Sequence, residues 1–199
     1  MHEVVRLETS QVDQAVEVLQ AAFSKDPIFN YLLPEHNTDA SAMSLLLRVL
    51  LASSYPYQHT YTTAGKLQGV AAWMPPDNSG GNALHLLQSG AVTLPFKLRL
   101  LNLIKVITWA LEMEKLHQRN IQKPHWYLSL LGVVPTSQGQ GVGSLLIEPV
   151  LRQADSQGLS CYVETSTENA VRFYQKHGFR VTWYGELLKG SPYLWTMER

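Results

Sequence analysis

The segment from His125 to Ser144, HWYLSLLGVVPTSQGQGVGS, constrains the fold of this 199-residue chain more than any other. Its first half is an apolar run rich in β-branched and aromatic residues, which predicts a β-strand that ends before Pro135. Three glycines alternate over residues 139–143, and the apolar run 145–147 after them predicts the start of a helix. Because a helix N-terminus carries unpaired N–H groups and a partial positive charge, this strand, turn and helix form a candidate phosphate-binding site.

The composition limits the possible partners and location of the chain. Sixteen basic side chains balance 16 acidic ones, so no overall charge favours nucleic acid or an anionic membrane. The single cysteine, Cys161, cannot form an internal disulfide, and its place in a predicted strand indicates a core residue rather than a nucleophile. The first ten residues lack the features of a signal peptide. We therefore expect one cytoplasmic domain over residues 1–199, as a monomer or homodimer.

Periodicity in the first half predicts strands and helices in alternation. A strand over 3–8 precedes a helix that ends at Asp26 and Pro27, with Ser10 and Asp13 as an approximate capping box. A second helix is expected from Thr38 or Asp39 to about residue 54, followed by a hairpin of strands 59–63 and 69–74.

A helical insertion is expected at about 82–120, in two pieces, 82–88 and 94–118. The apolar stretch from Leu94 to Met113 contains charged residues at roughly helical spacing, so it predicts an amphipathic helix rather than a membrane span. This insertion is also a candidate lid or substrate wall.

Periodicity in the second half predicts a parallel strand–helix–strand unit over 126–164. Its helix is expected over about 142–157, with a kink at Pro149 and a C-terminal cap at Gly158. A short helix over 168–177 and two closing strands, 179–185 and 193–197, complete the chain.

The glycine-rich turn lacks both the Gly-Lys-Ser/Thr of a P-loop and the spacing of a dinucleotide fingerprint. Its pattern Gln-x-x-Gly-x-Gly over 138–143 resembles the pyrophosphate-binding segment of the GNAT superfamily of acetyl-CoA-dependent N-acetyltransferases. Downstream, Ala-x-x-Phe-Tyr-x-x-x-Gly-Phe over 170–179 is similar to the second signature of that superfamily. Further motifs, namely HWYL, Glu-Thr-Ser at 164–166, AAF with Asp-Pro at 26–27, and AAWMPP, resemble the puromycin N-acetyltransferase branch and extend the likeness over nearly the whole chain.

The resemblance implies an α/β (α+β) GNAT fold: a mixed, mostly antiparallel sheet splayed between strands 4 and 5, with helices on both faces. It also implies that acetyl-CoA, the acyl donor, binds in the splay. Unpaired backbone groups there would bind the pantetheine amides, and the turn would bind the pyrophosphate. No metal-ligand spacing is evident, so no metal is expected. The donor-binding residues are expected to be Leu131, Gly132, Val133, Gln138, Gly139, Gln140, Gly141, Val142, Gly143 and Ser144.

Two positions in this likeness depart from the usual pattern. Gln138 stands where many relatives have arginine, so backbone amides would carry more of the anion binding. Many relatives also have an asparagine seven residues before the catalytic tyrosine, where this chain has Thr167. Asn169 is the nearest candidate for that contact.

Two residues are the leading candidates for proton transfer. The resemblance implies that Tyr174 is the general acid, and a phenol with a pKa of about 10 suits a leaving thiolate with a pKa of about 8.5. Glu164, at the end of the fifth strand, is the first candidate for the base that deprotonates the attacking amine. Tyr127 on the fourth strand is a poor base at neutral pH, and three further options near that strand are His125, Glu114 and His117.

The acceptor amine is left open by the sequence. Phe29, Trp73, Trp126 and Tyr127 are candidate substrate contacts, with Trp109 as a further aromatic residue. Such a wall would suit an aromatic or antibiotic-like primary amine. The alternatives are a peptide or protein N-terminus as acceptor, or a non-catalytic acyl-CoA-binding module.

Overall fold

The computed structural model describes residues 3–34, 40–54, 58–76, 95 and 98–199. Thirteen helices and strands are described, together with 3₁₀ turns at Thr9–Gln11 and Pro135–Ser137. In chain order they are β1 (Val4–Arg6), α1 (Val12–Phe23), α2 (Pro27–Leu32), α3 (Ala40–Ser54), β2 (Thr60–Thr63), β3 (Gly69–Met74), α4 (Leu100–Asn120), β4 (His125–Val133), α5 (Val142–Gln157), β5 (Ser160–Thr165), α6 (Glu168–Lys176), β6 (Arg180–Glu186) and β7 (Tyr193–Glu198).

The seven strands form one sheet in the order β1-β2-β3-β4-β5-β7-β6. Every neighbouring pair is antiparallel except β4 and β5, which are parallel and are connected through α5. A parallel connection needs a crossover of a dozen residues or more, and α5 supplies it. The predicted mixed, mostly antiparallel sheet is confirmed.

The two parallel strands separate halfway along their length. Cα pairing between β4 and β5 runs only from His125↔Ser160 to Leu128↔Val163. Beyond that point β4 continues beside β3, and Glu164 and Thr165 of β5 continue beside β7. The predicted splay between strands 4 and 5 is therefore confirmed.

Helices cover both faces of the sheet. Val70 and Ala72 belong to a core cluster with α1, α2, α3 and α4, whereas Ala71 and Trp73 belong to a cluster with α5 and α6. Successive residues of a strand point to opposite faces, so these two clusters lie on the two sides of β3. Among the described residues, no helix has the length and apolar character needed to cross a membrane.

Two local predictions near the N-terminus were wrong. Asp26 and Pro27 begin α2 rather than end a helix: the Asp26 carboxylate accepts from the backbone N–H groups of Ile28 and Phe29, and proline suits the first helical position. The capping box is formed by Glu8 and Gln11, not by Ser10 and Asp13, because one 3₁₀ turn precedes α1.

The helical insertion is described only in part. The predicted helix over 82–88 and the beginning of the next helix lie outside the described residues, as do Thr38 and Asp39. From Leu100 onward the predicted helix is present as α4, which buries Trp109 and Leu116 and exposes Leu100, Leu101 and Ile104. The C-terminal cap of α5 at Gly158 is confirmed, since Gly158 has a left-handed φ of 63°.

Candidate active site

A cleft of about 1270 Å³ opens where β4 and β5 separate. It is bordered by the end of α1, by α2 and α4, by the turn before α5, by the end of β5 and by α6. Thirteen of the predicted site residues line it. They are Phe29, Tyr127, Leu131, Val133, Gln138, Gly139, Gly141, Val142, Gly143, Ser144, Glu164, Asn169 and Tyr174.

Four predicted site residues do not line this cleft. Trp73 and Trp126 are buried in the core, and the Trp126 indole N–H donates to Gln157 on α5. Neither is placed to contact a substrate, because the aromatic character that suggested such contacts serves core packing instead. Gly132 and Gln140 do not line the cleft either.

The exposed edge of β4 is formed by alternate residues. In an antiparallel pair, alternate residues direct their N–H and C=O groups toward the same neighbour. The Val134 N–H donates to the Gln68 carbonyl beside β3, so Gly132 faces β3 as well, and Leu131 and Val133 face the splay. The prediction that all three residues 131–133 have free backbone groups was therefore wrong for Gly132.

Gly132 and Gly143 serve packing rather than backbone conformation. A Cβ at Gly132 would lie 2.8 Å from Leu19 Cδ2, so only glycine lets α1 approach the sheet there. A Cβ at Gly143 would lie 3.3 Å from the Phe173 ring, so this glycine lets α5 approach α6.

Gly139 and Gly141 meet the conformational demand of the turn. Their φ angles are 74° and 81°, which other residues rarely adopt, and a Cβ at either position would have no atom within 4 Å. Both therefore leave open space beside the N-terminus of α5. That is the space an anionic group needs to approach the backbone N–H groups.

The two glutamine side chains of the turn stabilise it by hydrogen bonds to nearby backbone carbonyls. Gln138 Nε2 donates to the Val133 carbonyl at 3.0 Å, and Gln140 Nε2 donates to the Thr136 carbonyl at 2.9 Å. The Val133 carbonyl is thereby satisfied, which leaves the Val133 N–H and the Leu131 N–H and C=O groups on the edge of β4 that faces the splay. Gln138 thus fixes the loop, where an arginine would place a charge.

Tyr174 lies on α6 at the junction of the turn and β5. Its ring is buried and lies against Phe173 and Phe179 at centroid distances of 5.2 and 5.5 Å. Burial, and then the nearby charge of Glu164, raise the pKa of the phenol above its ordinary value. The hydroxyl is therefore protonated at neutral pH and suited to donate a proton.

Glu164 is the buried carboxyl of the cleft. Its side chain is 6% exposed, and its Oε1 atom is buried without a hydrogen-bond partner among the described residues. Burial raises the pKa of this carboxyl to about 7, although the nearby Tyr127 and Tyr162 side chains partly oppose the shift. An acid with this pKa exchanges protons readily at neutral pH.

Aromatic rings and histidines surround Glu164. The His117 ring lies 4.6 Å from the Tyr127 ring and 4.4 Å from the Tyr162 ring, and its Nδ1 is 3.7 Å from Glu164 Oε1. Burial, followed by the His125 charge, lowers the pKa of His117 to about 4. Burial also raises the pKa of both tyrosines, so neither phenol acts as a base near neutrality.

Sequence reasoning missed three further residues near the cleft. Tyr162 precedes Glu164 by two residues on β5, but only the pairing with Tyr127 brings the two rings together. Asp26, at the start of α2, is hydrogen-bonded to the residue that follows β5: its Oδ2 atom accepts from the Ser166 hydroxyl at 2.8 Å. His177 Nε2 lies 3.0 Å from Ser144 Oγ beside the turn.

Within the described part of the chain, no group of three His, Cys, Asp or Glu side chains is arranged to hold a metal. The cleft instead offers two kinds of polar group. Backbone donors lie at the turn, and the carboxylates Asp26, Glu114 and Glu164 line the same cleft with Phe29 and Trp109.

Residues 106–179 match the family model described as the acetyltransferase (GNAT) family. The match begins within α4 and includes β4, the turn, α5, β5 and α6, which border much of the cleft.

One relative in sequence is an uncharacterized N-acetyltransferase of Schizosaccharomyces pombe. It is 28% identical over 183 residues, which cover 87% of this chain and 72% of the relative. The chain spans only 23% and 28% of two other relatives, both Dictyostelium discoideum proteins named as probable serine/threonine-protein kinases.

Two solved structures share the fold over nearly the whole chain. One is described as histone acetyltransferase HPA2 and related acetyltransferase from Corynebacterium glutamicum, with a TM-score of 0.69, 21% identity, and coverage of 99% of this chain and 94% of that one. The other is a Drosophila melanogaster polyamine N-acetyltransferase, with a TM-score of 0.62, 15% identity, and coverage of 100% and 99%. The matched segment and the N-acetyltransferase relative support an acyltransferase similar to the GNAT family, and the two solved structures support the fold.

Proposed function

We propose that this chain transfers the acetyl group of acetyl-CoA to a primary amine of a small molecule by direct attack. One observation carries the proposal: Glu164 and Tyr174 open into the same cleft that the free edge of β4 and the N-terminus of α5 border. The cleft would thereby bring together a base, an acid and a binding site for the acyl donor.

The donor end fits coenzyme A. The Leu131 C=O and the Val133 N–H would pair with the pantetheine amides as a neighbouring strand does, and the open space beside Gly139 and Gly141 would admit the pyrophosphate. The Leu131 N–H would also stabilise negative charge on the thioester oxygen during attack.

Two side chains would move the protons. The attacking amine must be neutral, and Glu164, with a pKa of about 7, would accept its proton near physiological pH. Tyr174 would give its proton to the departing thiolate. The pKa of Tyr174 is raised, but the thiolate forms in the same poorly solvated cleft, which raises the pKa of the thiol as well.

The acceptor end fits a cationic amine that carries an apolar portion. The carboxylates Asp26, Glu114 and Glu164 attract an ammonium group, and Phe29 and Tyr127 present aromatic surface to the cleft. The polyamine N-acetyltransferase of Drosophila, which forms N-acetylagmatine, is a structural neighbour with such a substrate. Membership of the puromycin N-acetyltransferase branch would extend the range to aromatic, antibiotic-like amines.

Acetyl-CoA consumption over an amine panel tests this proposal. The panel comprises agmatine, spermidine, tryptamine, puromycin and a short peptide with a free N-terminus, and release of free thiol is measured for the whole chain. We expect turnover with at least one small amine and its loss in Tyr174→Phe.

The same panel separates the two alternatives. Turnover restricted to the peptide would favour a peptide or protein acetyltransferase. Saturable binding of acetyl-CoA without turnover on any amine would favour an acyl-CoA-binding module.

The proposal also covers the setting of the reaction. Residues 1–199 would act as one catalytic domain in the cytoplasm, as a monomer or homodimer, without nucleic acid or membrane as partner. Cys161 is a buried free cysteine, and burial raises the pKa of its thiol to about 12. A free thiol that stays protonated suits the reducing environment of the cytoplasm.

A further inference from the structure

We propose that His117 and His125 form a proton relay that carries the proton of the acceptor amine from Glu164 to the protein surface. The inference rests on the proposed function, since it takes Glu164 as the base. Each turnover leaves a proton on this carboxyl, which is 6% exposed and must lose it before the next turnover. A path out of the cleft is therefore needed.

The two histidines come from different elements and meet at hydrogen-bond distance. His117 is on the last turns of α4, His125 is the first residue of β4, and their Nε2 atoms are 2.7 Å apart. The other ring nitrogen of His117, Nδ1, lies 3.7 Å from Glu164 Oε1. That gap closes to a hydrogen bond with a side-chain shift of less than about 1 Å. His125 is half-buried at the outer end of this line.

One backbone carbonyl fixes the direction of both rings. His125 Nδ1 lies 2.8 Å from the Lys123 carbonyl oxygen, which can only accept, so this nitrogen carries the proton. Nε2 of neutral His125 is then an acceptor, and the 2.7 Å contact requires a proton on His117 Nε2. Nδ1 of neutral His117 is left with a lone pair that faces Glu164.

The proton balance follows from this arrangement. The O–H bond of the protonated Glu164 breaks as a bond to His117 Nδ1 forms, and the His117 Nε2–H bond breaks as a bond to His125 Nε2 forms. Glu164 becomes a carboxylate, His117 stays neutral and His125 becomes an imidazolium. His125 then gives its Nδ1 proton to water and keeps the Nε2 proton. The rings return to their starting tautomers when His117 gives its Nδ1 proton to water in the cleft, His125 passes its Nε2 proton to His117 Nε2, and water returns a proton to His125 Nδ1. The net result is one proton released per turnover.

The groups around His117 disfavour a stable positive charge on its ring, so a proton that reaches it is passed on. Burial and the charge of His125 disfavour a positive charge on His117, and Glu114 only partly opposes them. Tyr127 and Tyr162, which also face the His117 ring, are neutral near neutrality because burial raises the pKa of both. Lys123 and Glu198 form an ion pair beside His125, at 2.7 Å, so the outer end is polar.

Chemical rescue of His125→Ala tests the relay. With the best amine of the panel, we expect kcat to fall about tenfold, with the KM for acetyl-CoA unchanged, and added imidazole to restore at least half of the lost rate. A kcat within twofold of wild type, or a fall that imidazole does not reverse, would overturn the relay.

A matched control lies nearby on α4. Arg119→Ala removes an exposed basic side chain from the last turn of α4, two residues after His117. We expect its kcat to stay near that of wild type and to be insensitive to imidazole, which separates the relay from a general loss of charge at this surface.

The ring tautomers provide a measurement that does not depend on acyl transfer. Long-range ¹H–¹⁵N spectra of the labelled full chain should show His125 protonated at Nδ1 and His117 protonated at Nε2. A proton on His117 Nδ1 would overturn the relay even in an active enzyme. Conversely, the expected tautomers in a chain with no transferase activity would refute the proposed function and leave the relay geometry standing.

Discussion

Two regions of the cleft present different kinds of chemical group, backbone groups in one and side chains in the other. At the donor end, a free strand edge at Leu131 and an open turn at Gly139 and Gly141 present backbone groups. At the proposed acceptor end, His117, Tyr127 and Glu164 present side chains from α4, β4 and β5. In the proposed function, backbone groups would recognise what every acyl-CoA shares, whereas side chains would recognise one amine and move its proton. The comparison suggests that variants at the two ends should separate donor binding from turnover.

Loss of the Tyr174 hydroxyl should have the largest effect. Tyr174→Phe keeps the ring between Phe173 and Phe179 and removes only the proton donor. We expect kcat to fall on the order of 1,000-fold, within the usual range for acid–base groups, with an unchanged acetyl-CoA dissociation constant. Steady-state kinetics and calorimetry measure the two quantities. An unchanged kcat, with chemistry shown to be rate-limiting, would remove Tyr174 from the mechanism.

The Glu164 carboxyl should make the free energy of unfolding depend on pH, and Glu164→Gln should remove that dependence. The carboxyl has a pKa of about 7 when folded and an ordinary value of 4.5, so between these values the folded state holds a proton that the unfolded state has lost. The free energy of unfolding should therefore decrease as pH rises from 4.5 to 7. The loss is about 3 kcal/mol relative to Glu164→Gln. Urea unfolding of both proteins at pH 4.5 and pH 8 measures it, and parallel pH dependences would contradict the burial of this charge.

The same substitution should affect catalysis at the acceptor end alone. Because Glu164 must be ionised to accept a proton, we expect wild-type kcat/KM for the amine to rise with pH through about 7. In Glu164→Gln it should fall about 100-fold and lose that inflection. A pH–rate profile measures both effects. Retention of the inflection near 7 would assign it to another group.

A glycine substitution should have the smallest effect and act at the donor end. Gly141→Ala strains a φ of 81° by about 1 kcal/mol and places a methyl group in the open space of the turn. We expect acetyl-CoA affinity to fall about tenfold, with kcat at saturating donor little changed.

Gly158→Ala is the matched control for that substitution. Its φ is 63°, its Cβ would also meet nothing within 4 Å, and it lies at the far end of α5. It should lose similar stability without loss of acetyl-CoA affinity. Equal affinity losses in both variants would assign the effect to strain in α5 rather than to the turn.

Local sequence signals predicted the donor end and most of the fold. The apolar run of β4, the alternating glycines and the apolar start of α5 are contiguous, so their order in the chain is their order in space. The hairpin of β2 and β3, the parallel unit around α5 and the cap at Gly158 follow from equally local patterns. Where a local signal competed with an equivalent neighbour, as at Glu8 and Ser10, the prediction failed.

The sequence by itself determined the chemistry that could be present: a backbone anion site, a tyrosine on α6 and a carboxyl at the end of β5. Tertiary structure decided which groups work together. Trp73 and Trp126 are buried in the core, and the backbone groups of Gly132 face β3. His117 lies next to His125 and Glu164. The physical reason is that strand register and helix packing set which side chains converge and how far they are desolvated. The pKa of Glu164 near 7 depends on both.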